Sequence, residues 1–255
     1  MNTEDLAKKL RMDVIEMSHR AKAAHLGSAL STIDILSVLY SSFLQIHDSD
    51  SKEYEDRDRF ILSKGHAATA LYATLAYFGI IDNEELLHYG KKGSPLEEHP
   101  STKLSGVEAS TGSLGHGLPI ANGISLSAKI LSKKFEVYVL MSDGECNEGS
   151  VWEAAMFASK NKLDNLTAIV DFNKWQATGR SQDVLQLDPL AEKWKSFGWE
   201  VTQIDGHSHK QIAEAFSRES NGKPKLIIAD TVKGKGISFM EDDNNWHYRS
   251  PNEEE

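Results

Sequence analysis

The sequence predicts an α/β fold, a parallel sheet with helices on both faces, and three observations carry that prediction. Short apolar runs of strand length recur through residues 59–230, with helix-patterned segments between them. The runs are continuously apolar rather than alternating, as strands buried on both faces must be. The segments leaving four of the runs, "SDGE", "DFNKWQATG", "DGHSH" and "TVKGKG", are rich in Gly, Asp, Asn or His. In open parallel sheets ligands bind beyond the carboxyl ends of the strands, where such residues are useful.

The elements follow in order. Residues 4–23 and 31–44 have helical spacing and are separated by a break at "HLGSALS", with Ser31 and Thr32 as candidate caps of the second helix. "RFIL" is a strand; "GHAATALYATLAYFG" is an Ala-rich helix ending at Gly79; "DNEELLHYG" is a short helix closed by Gly90. Residues 91–115 form a long Gly/Ser/Pro/Glu-rich loop, a length that inside a compact domain points to function. A helix over 115–132, strand "EVYVLM", a helix over 149–161 and strand "LTAIVDF" come next. A helix over 189–197, strand "WEVTQID", helix "KQIAEAFSRES" and strand "PKLIIAD" complete the run, with no repeat and no linker. We therefore expect residues 1–255 to form a single domain.

Composition narrows the function. A net charge of −10 with scattered Lys and Arg offers no basic stripe for nucleic acid. No apolar run approaches the ~18 residues of a membrane span, and the charged start is unlike a signal peptide. Cys146 is the one cysteine, which excludes a disulfide framework and a thiolate metal site and points to the cytoplasm.

The chemistry concentrates in "SDGECNEGSVWEAA" and the strand exit thirty residues later. Asp143 ends one strand and Asn173 the next; if those strands are parallel neighbours, the two side chains come together in space. A carboxylate, an amide oxygen and a nearby backbone carbonyl are hard ligands suited to Mg²⁺ or Ca²⁺, with water or phosphate oxygens completing the shell. Gly144 lets a phosphate approach the backbone, and the following helix presents free N–H groups at its start. The plainer reading is that Asp143, Glu145 and Glu148 cap the helix and Asn173 makes a turn; the joint arrangement favours the cation.

The stretch 142–179 resembles the thiamine-diphosphate motif, a GDG triplet followed about thirty residues later by an Asn, in the version found in transketolases. "AAHLGSALS", "DRFILSKGHAATALYATLA", "EEHPSTKLSGVEASTGSLGHGL" and "GHSHKQI" fall in transketolase order, so the resemblance spans nearly the whole chain. Ser142 stands where the motif has its first Gly and Phe172 where it has the first Asn of a pair; both flank the ligand positions. The resemblance implies thiamine diphosphate as cofactor and two-carbon ketol transfer from a ketose to an aldehyde acceptor. It implies Asp143, Asn173 and the main-chain carbonyl of Trp175 as metal ligands. Gly144 would donate its N–H to the diphosphate, and Gly112, Ser113 and Leu114 of "TGSLGHG" would lie on the cofactor side, Leu114 against the aminopyrimidine. Glu148 would join a carboxylate network across a subunit interface. Glu145, beside Gly144, is counted on the cofactor side, with capping as its other reading.

Of ten histidines, His19, His47 and His88 read as ordinary surface residues. His25, His66, His99 and His247 lie in Gly- or Pro-containing breaks that match transketolase motifs, which places them around the donor sugar and the cofactor. His25 and His247 would contact donor hydroxyls and move protons, His66 would reach the diphosphate side, and His99 the carbonyl end of the donor. His116 is a weaker candidate near the cofactor.

The resemblance covers only the first half of a full-length transketolase. The chain ends at "HYRSPNEEE" where a single-chain enzyme would continue, so the expected partner is a separate C-terminal, pyrimidine-binding subunit in an α₂β₂ assembly. Leu114, Leu118, Ile120, Trp152, Met156 and Phe157 carry more apolar surface than one sheet face needs, and part of it is expected to meet that subunit. Three rivals remain open: the α-subunit of a 2-oxoacid dehydrogenase, which lacks the histidine set; a catalytically silent cofactor-binding subunit; and a nicotinamide-binding domain using "GSLGHGLPIANG", where the glycines do not give G-x-G-x-x-G.

Overall fold

A computed structural model describes residues 2–46 and 56–255, so His47 lies outside the described residues. Five strands form one sheet: β1 (Arg59–Leu62), β2 (Val137–Ser142), β3 (Leu166–Phe172), β4 (Glu200–Asp205) and β5 (Lys225–Asp230). Their order is β1-β2-β3-β5-β4 and every pairing is parallel. All five expected strands are present, within a residue of their expected limits.

The pleat explains the continuous apolar runs, because successive side chains serve opposite cores. Tyr138, Leu140, Ile169, Ile227 and Ala229 face a core completed by helices α1 (Thr3–Ala21), α3 (Ile33–Ser42), α4 (Ala68–Tyr77) and α9 (His209–Phe216). Val137, Val139, Met141, Ala168, Val170 and Ile228 face the other core, against α5 (Gly117–Ile130), α6 (Gly149–Lys160) and α8 (Leu190–Ser196). β4, at the sheet edge, is only half covered.

Three expectations are corrected. The break at "HLGSALS" contains its own short helix, α2 (Leu26–Leu30), and a single-turn helix, α7 (Ser181–Val184), follows β3. Thr32 does stand at the start of α3, but its hydroxyl donates back to Ala29 O, and that of Ser31 to Asp171 and Ser28 O; neither caps the helix. Leu118 is fully buried under α5, and Trp152 is half-buried against Trp194 and Phe197, so neither adds to an open apolar face. Residues 91–115 carry neither helix nor strand, as expected.

Candidate functional site

The parallel register between β2 and β3 pairs Ser142 with Asp171, so the chain leaves both strands at one level. The Asp143 carboxylate accepts from Gly144 N at 2.8 Å, Lys174 N at 2.9 Å and the Ser181 hydroxyl at 2.7 Å. The thirty-residue separation from Asn173 is therefore closed, since Lys174 is its neighbour. Asn173 turns its carbonyl oxygen toward Trp175 N (3.1 Å), while its amide donates to Asp171 and Ser31. Asp143 is fully buried, and burial raises its pKa to about 6 despite the Ser181 bond.

Behind Asn173 lies an ion pair that the sequence did not announce. Lys64 and Asp171 are both fully buried and directly paired; Lys64 also donates to Ser28 O at 3.0 Å, while Ser31 and Thr231 donate to Asp171. This network fixes the amide of Asn173 and hence the direction of its oxygen. Removing one partner of a buried pair leaves an uncompensated charge. Lys64→Met is expected to cost about 3 kcal/mol in denaturant unfolding, while Lys64→Met with Asp171→Leu recovers part of the loss. A Lys64→Met loss below about 1 kcal/mol would remove the pair from this structural role.

Glu145 is neither a helix cap nor a wall of the pocket. It is fully buried, and its carboxylate accepts from Ser63, from Gly115 N at 2.8 Å and from Ser142 N at 3.4 Å. Burial raises its pKa, and its role is to hold the 112–117 loop against β1 and β2. Gly115 needs to be glycine there: its φ is +83°, and a Cβ would stand 2.4 Å from Ser150 Oγ. Glu148 occupies the N-cap position of α6 without a side-chain cap bond and is exposed. Ser113 is likewise exposed outside the pocket lining, whereas Gly112 and Leu114 line it.

The loop, the strand ends and α2 enclose a pocket of about 350 Å³. His25, His66, His99 and His247 all line it, together with Gly144, Asn173 and Trp175. The His25 ring centroid is 5.5 Å from that of His66, 6.3 Å from His99 and 5.0 Å from His247. Four segments separated by up to 222 positions thus meet in one imidazole group. His25 is held in the left-handed region (φ 69°), with its N–H donating to His247 O at 2.7 Å, a strained conformation tolerated where a side chain must be aimed. Burial lowers the pKa of His25 and His66; burial and then the nearby Lys233 lower that of His247 to about 3.

Two further residues were not found from sequence. Lys233, fully buried in the "TVKGKG" exit, donates to His247 Nδ1 at 2.9 Å and to Asn244 Oδ1 at 2.7 Å, and burial lowers its pKa to about 7. Because Nδ1 accepts, the His247 proton resides on Nε2. Gln176 lines the pocket, and its buried Nε2 has no hydrogen-bond partner among the described residues. Its Cγ would lie 2.9 Å from a Cβ at position 144, so only glycine leaves the cradle open. An orphan donor beside a bare backbone, with Lys233 nearby, fits a diphosphate. No group of three His, Cys, Asp or Glu among the described residues could hold a metal, so the cation reading depends on the mixed oxygen set of Asp143, Asn173 and a carbonyl.

The strand-exit rule overreached at β4. His207 Nδ1 lies 2.7 Å and His209 Nε2 3.0 Å from Asp34, which also pairs with Arg11; they tie α1, α3 and α9 together away from the pocket. His116 is exposed and does not line the pocket, and His19 Nδ1 lies 2.9 Å from Pro251 O.

Comparison with known proteins agrees with this geometry. The family model "Transketolase, thiamine diphosphate binding domain" matches residues 2–255. The chain is 40% identical to one of the two subunits of the apulose-4-phosphate transketolase of Phocaeicola vulgatus, over 98% of this chain and 89% of that protein. It is 39% identical to a 6-deoxy-6-sulfo-D-fructose transketolase subunit of a Clostridium species, over 92% of this chain and 86% of that protein. The crystal structure of Campylobacter jejuni transketolase superposes with a TM-score of 0.92 at 31% identity, covering 98% of this chain but only 41% of that one. No helix among the described residues is long and apolar enough to cross a membrane.

Proposed function

The chain belongs to the transketolase thiamine-diphosphate-binding domain family, and from that premise we propose that it is the N-terminal subunit of a two-chain transketolase. In this reading residues 1–255 act as one domain in the cytoplasm. A separate C-terminal, pyrimidine-binding subunit completes the site in an α₂β₂ enzyme that moves a two-carbon ketol unit from a ketose to an aldose. Support for the two-chain form comes from relatives named as subunits, which match over most of their own length. The ketol chemistry, against that of a 2-oxoacid dehydrogenase, is supported by one observation above the others: four histidines from distant segments line one pocket with Gly144 and Asn173.

Asp143, Asn173 and the Trp175 carbonyl would hold Mg²⁺ or Ca²⁺, which anchors the diphosphate. Gly144 N–H, Gln176 and Lys233 would meet the diphosphate oxygens, and Leu114 the aminopyrimidine. Thiamine diphosphate, when bound, supplies the nucleophilic carbon and the electron sink for cleaving a carbon–carbon bond. What remains for this chain is positioning and proton transfer. His25, His66 and His247 carry lowered pKa values, so near neutrality each is an uncharged imidazole with one donor and one acceptor nitrogen. His247, with its proton on Nε2, can donate to a substrate oxygen while Lys233 holds its other nitrogen. Glu148, exposed at the start of α6, is free to meet a carboxylate of the second subunit.

His99 provides the test. In the assembled enzyme, His99→Ala is expected to slow single-turnover donor cleavage roughly 10²-fold, as loss of a positioned proton-transfer group does, with thiamine diphosphate affinity nearly unchanged. A normal cleavage rate removes His99 from the donor site. Absence of any donor cleavage by the unmodified pair of subunits rejects ketol transfer.

A further inference from the structure

Beyond the four histidines, a fifth ring belongs to the same group. The Tyr248 ring centroid lies 4.7 Å from that of His247, nearly perpendicular at 74°, and 6.0 Å from that of His25. Tyr248 is nevertheless 68% exposed, and among the described residues its hydroxyl has no hydrogen-bond partner in the protein. A lone exposed tyrosine needs no explanation. This one is held in place on both sides. His247 O accepts from His25 N, Tyr248 N donates to Asn245 O, and the Arg249 guanidinium sits 4.4 Å from the Trp246 ring centre. The backbone thus presents Tyr248 at a fixed place against two pocket-lining imidazoles.

The pocket has a direction. Gly144, Gln176 and Asn173 form one end, and His25, His99 and His247 the other, with Tyr248 outside them. A sugar whose reacting carbonyl lies among the histidines must extend its remaining carbons past them. We propose that Tyr248 is a specificity-determining residue whose ring walls the outer side of the donor site and contacts the hydroxylated carbons beyond the ketol head. An aromatic side chain suits this task, because its apolar body packs on C–H groups while its polar tip stays in water. The proposal rests on the ketol-transfer reading. It adds an account of why relatives of nearly equal identity bear the names of different sugars: the frame is shared, and selectivity is set by a few groups at the outer end.

The test compares donors of different length on the enzyme assembled with its C-terminal subunit. Hydroxypyruvate carries the same hydroxyacetyl head with only a carboxylate beyond it. D-xylulose and D-fructose, free and as terminal phosphates, carry the longer chain. Tyr248→Ala is expected to lower kcat/KM for the best ketose about tenfold, the scale of one aromatic contact, chiefly through KM. Hydroxypyruvate turnover and thiamine diphosphate affinity should be unchanged. Tyr248→Phe, which keeps the ring, should retain most of the ketose rate. Equal losses on hydroxypyruvate and ketose, no loss on either, or a Phe variant as poor as Ala would each overturn the proposal. Unmodified enzyme that uses hydroxypyruvate but no ketose would overturn it alone; one that uses neither would overturn the ketol-transfer reading beneath it.

Discussion

Asp143→Asn is expected to weaken metal-dependent thiamine diphosphate binding by the assembled enzyme on the order of 100-fold or more, since even a group that only supports a metal ligand is worth 10–100-fold. The substitution is nearly isosteric and leaves an acceptor for Lys174 N and Ser181. It removes only the charge. Burial raises the Asp143 pKa to about 6, which fixes the sign of its effect on the empty chain. A carboxyl whose folded pKa lies above its unfolded value favours folding at low pH and loses that contribution as pH rises from about 4 to about 6. At neutral pH the charged form therefore opposes folding until a cation compensates it. Asp143→Asn should leave the thermal midpoint of the free chain unchanged or slightly higher. Asn173→Ala should weaken binding similarly, by removing the oxygen that the Asp171 network aims. Unchanged Mg²⁺-dependent affinity in both variants would sink the metal assignment, and a collapsed thermal midpoint would make Asp143 a structural residue.

The strands were legible because both cores draw on the same apolar runs, so periodicity, length and exits agreed. Asp143 and Asn173 could be placed together because parallel register brings neighbouring strand ends to one level. Lys64 and Lys233 escaped notice for a physical reason: a lone lysine beside glycine looks solvated, and nothing local reveals that its ammonium is buried. A signal for Lys64 did exist. "SKGH" leaves β1 as "SDGE" leaves β2, and the strand-exit rule was not applied there. The same rule misplaced His207 and His209, because whether an exit faces the pocket depends on strand order, which the sequence does not state. Glu145 was misread because its partners, Ser63 and Gly115, are distant in sequence.

The largest effect is expected from separating this chain from its partner. The corrected apolar face excludes Leu118 and Trp152, yet it still includes Ile120, Met156 and Phe157, with Ile130 and Leu131 exposed by 72% and 66% at the end of α5. These residues lie on α5 and α6, the helices reached from the 112–116 loop and from Glu148, so the face adjoins the elements that bound the pocket. A contiguous apolar surface of this kind is normally covered. We expect an obligate-type contact of more than about 2,000 Å² with the C-terminal subunit. The cofactor would lie across it, its diphosphate held here and its aminopyrimidine held by the partner. The chain alone should then bind thiamine diphosphate weakly and transfer no ketol unit, because the pocket holds one end of the cofactor and supplies no group for the other. Titrating in the C-terminal subunit should restore both properties together, with activity saturating near one-to-one. Met156→Glu, on the exposed face of α6, should raise the concentration of partner needed without changing the limiting rate. Full ketol-transfer activity from the purified 255-residue chain would refute the two-chain reading outright.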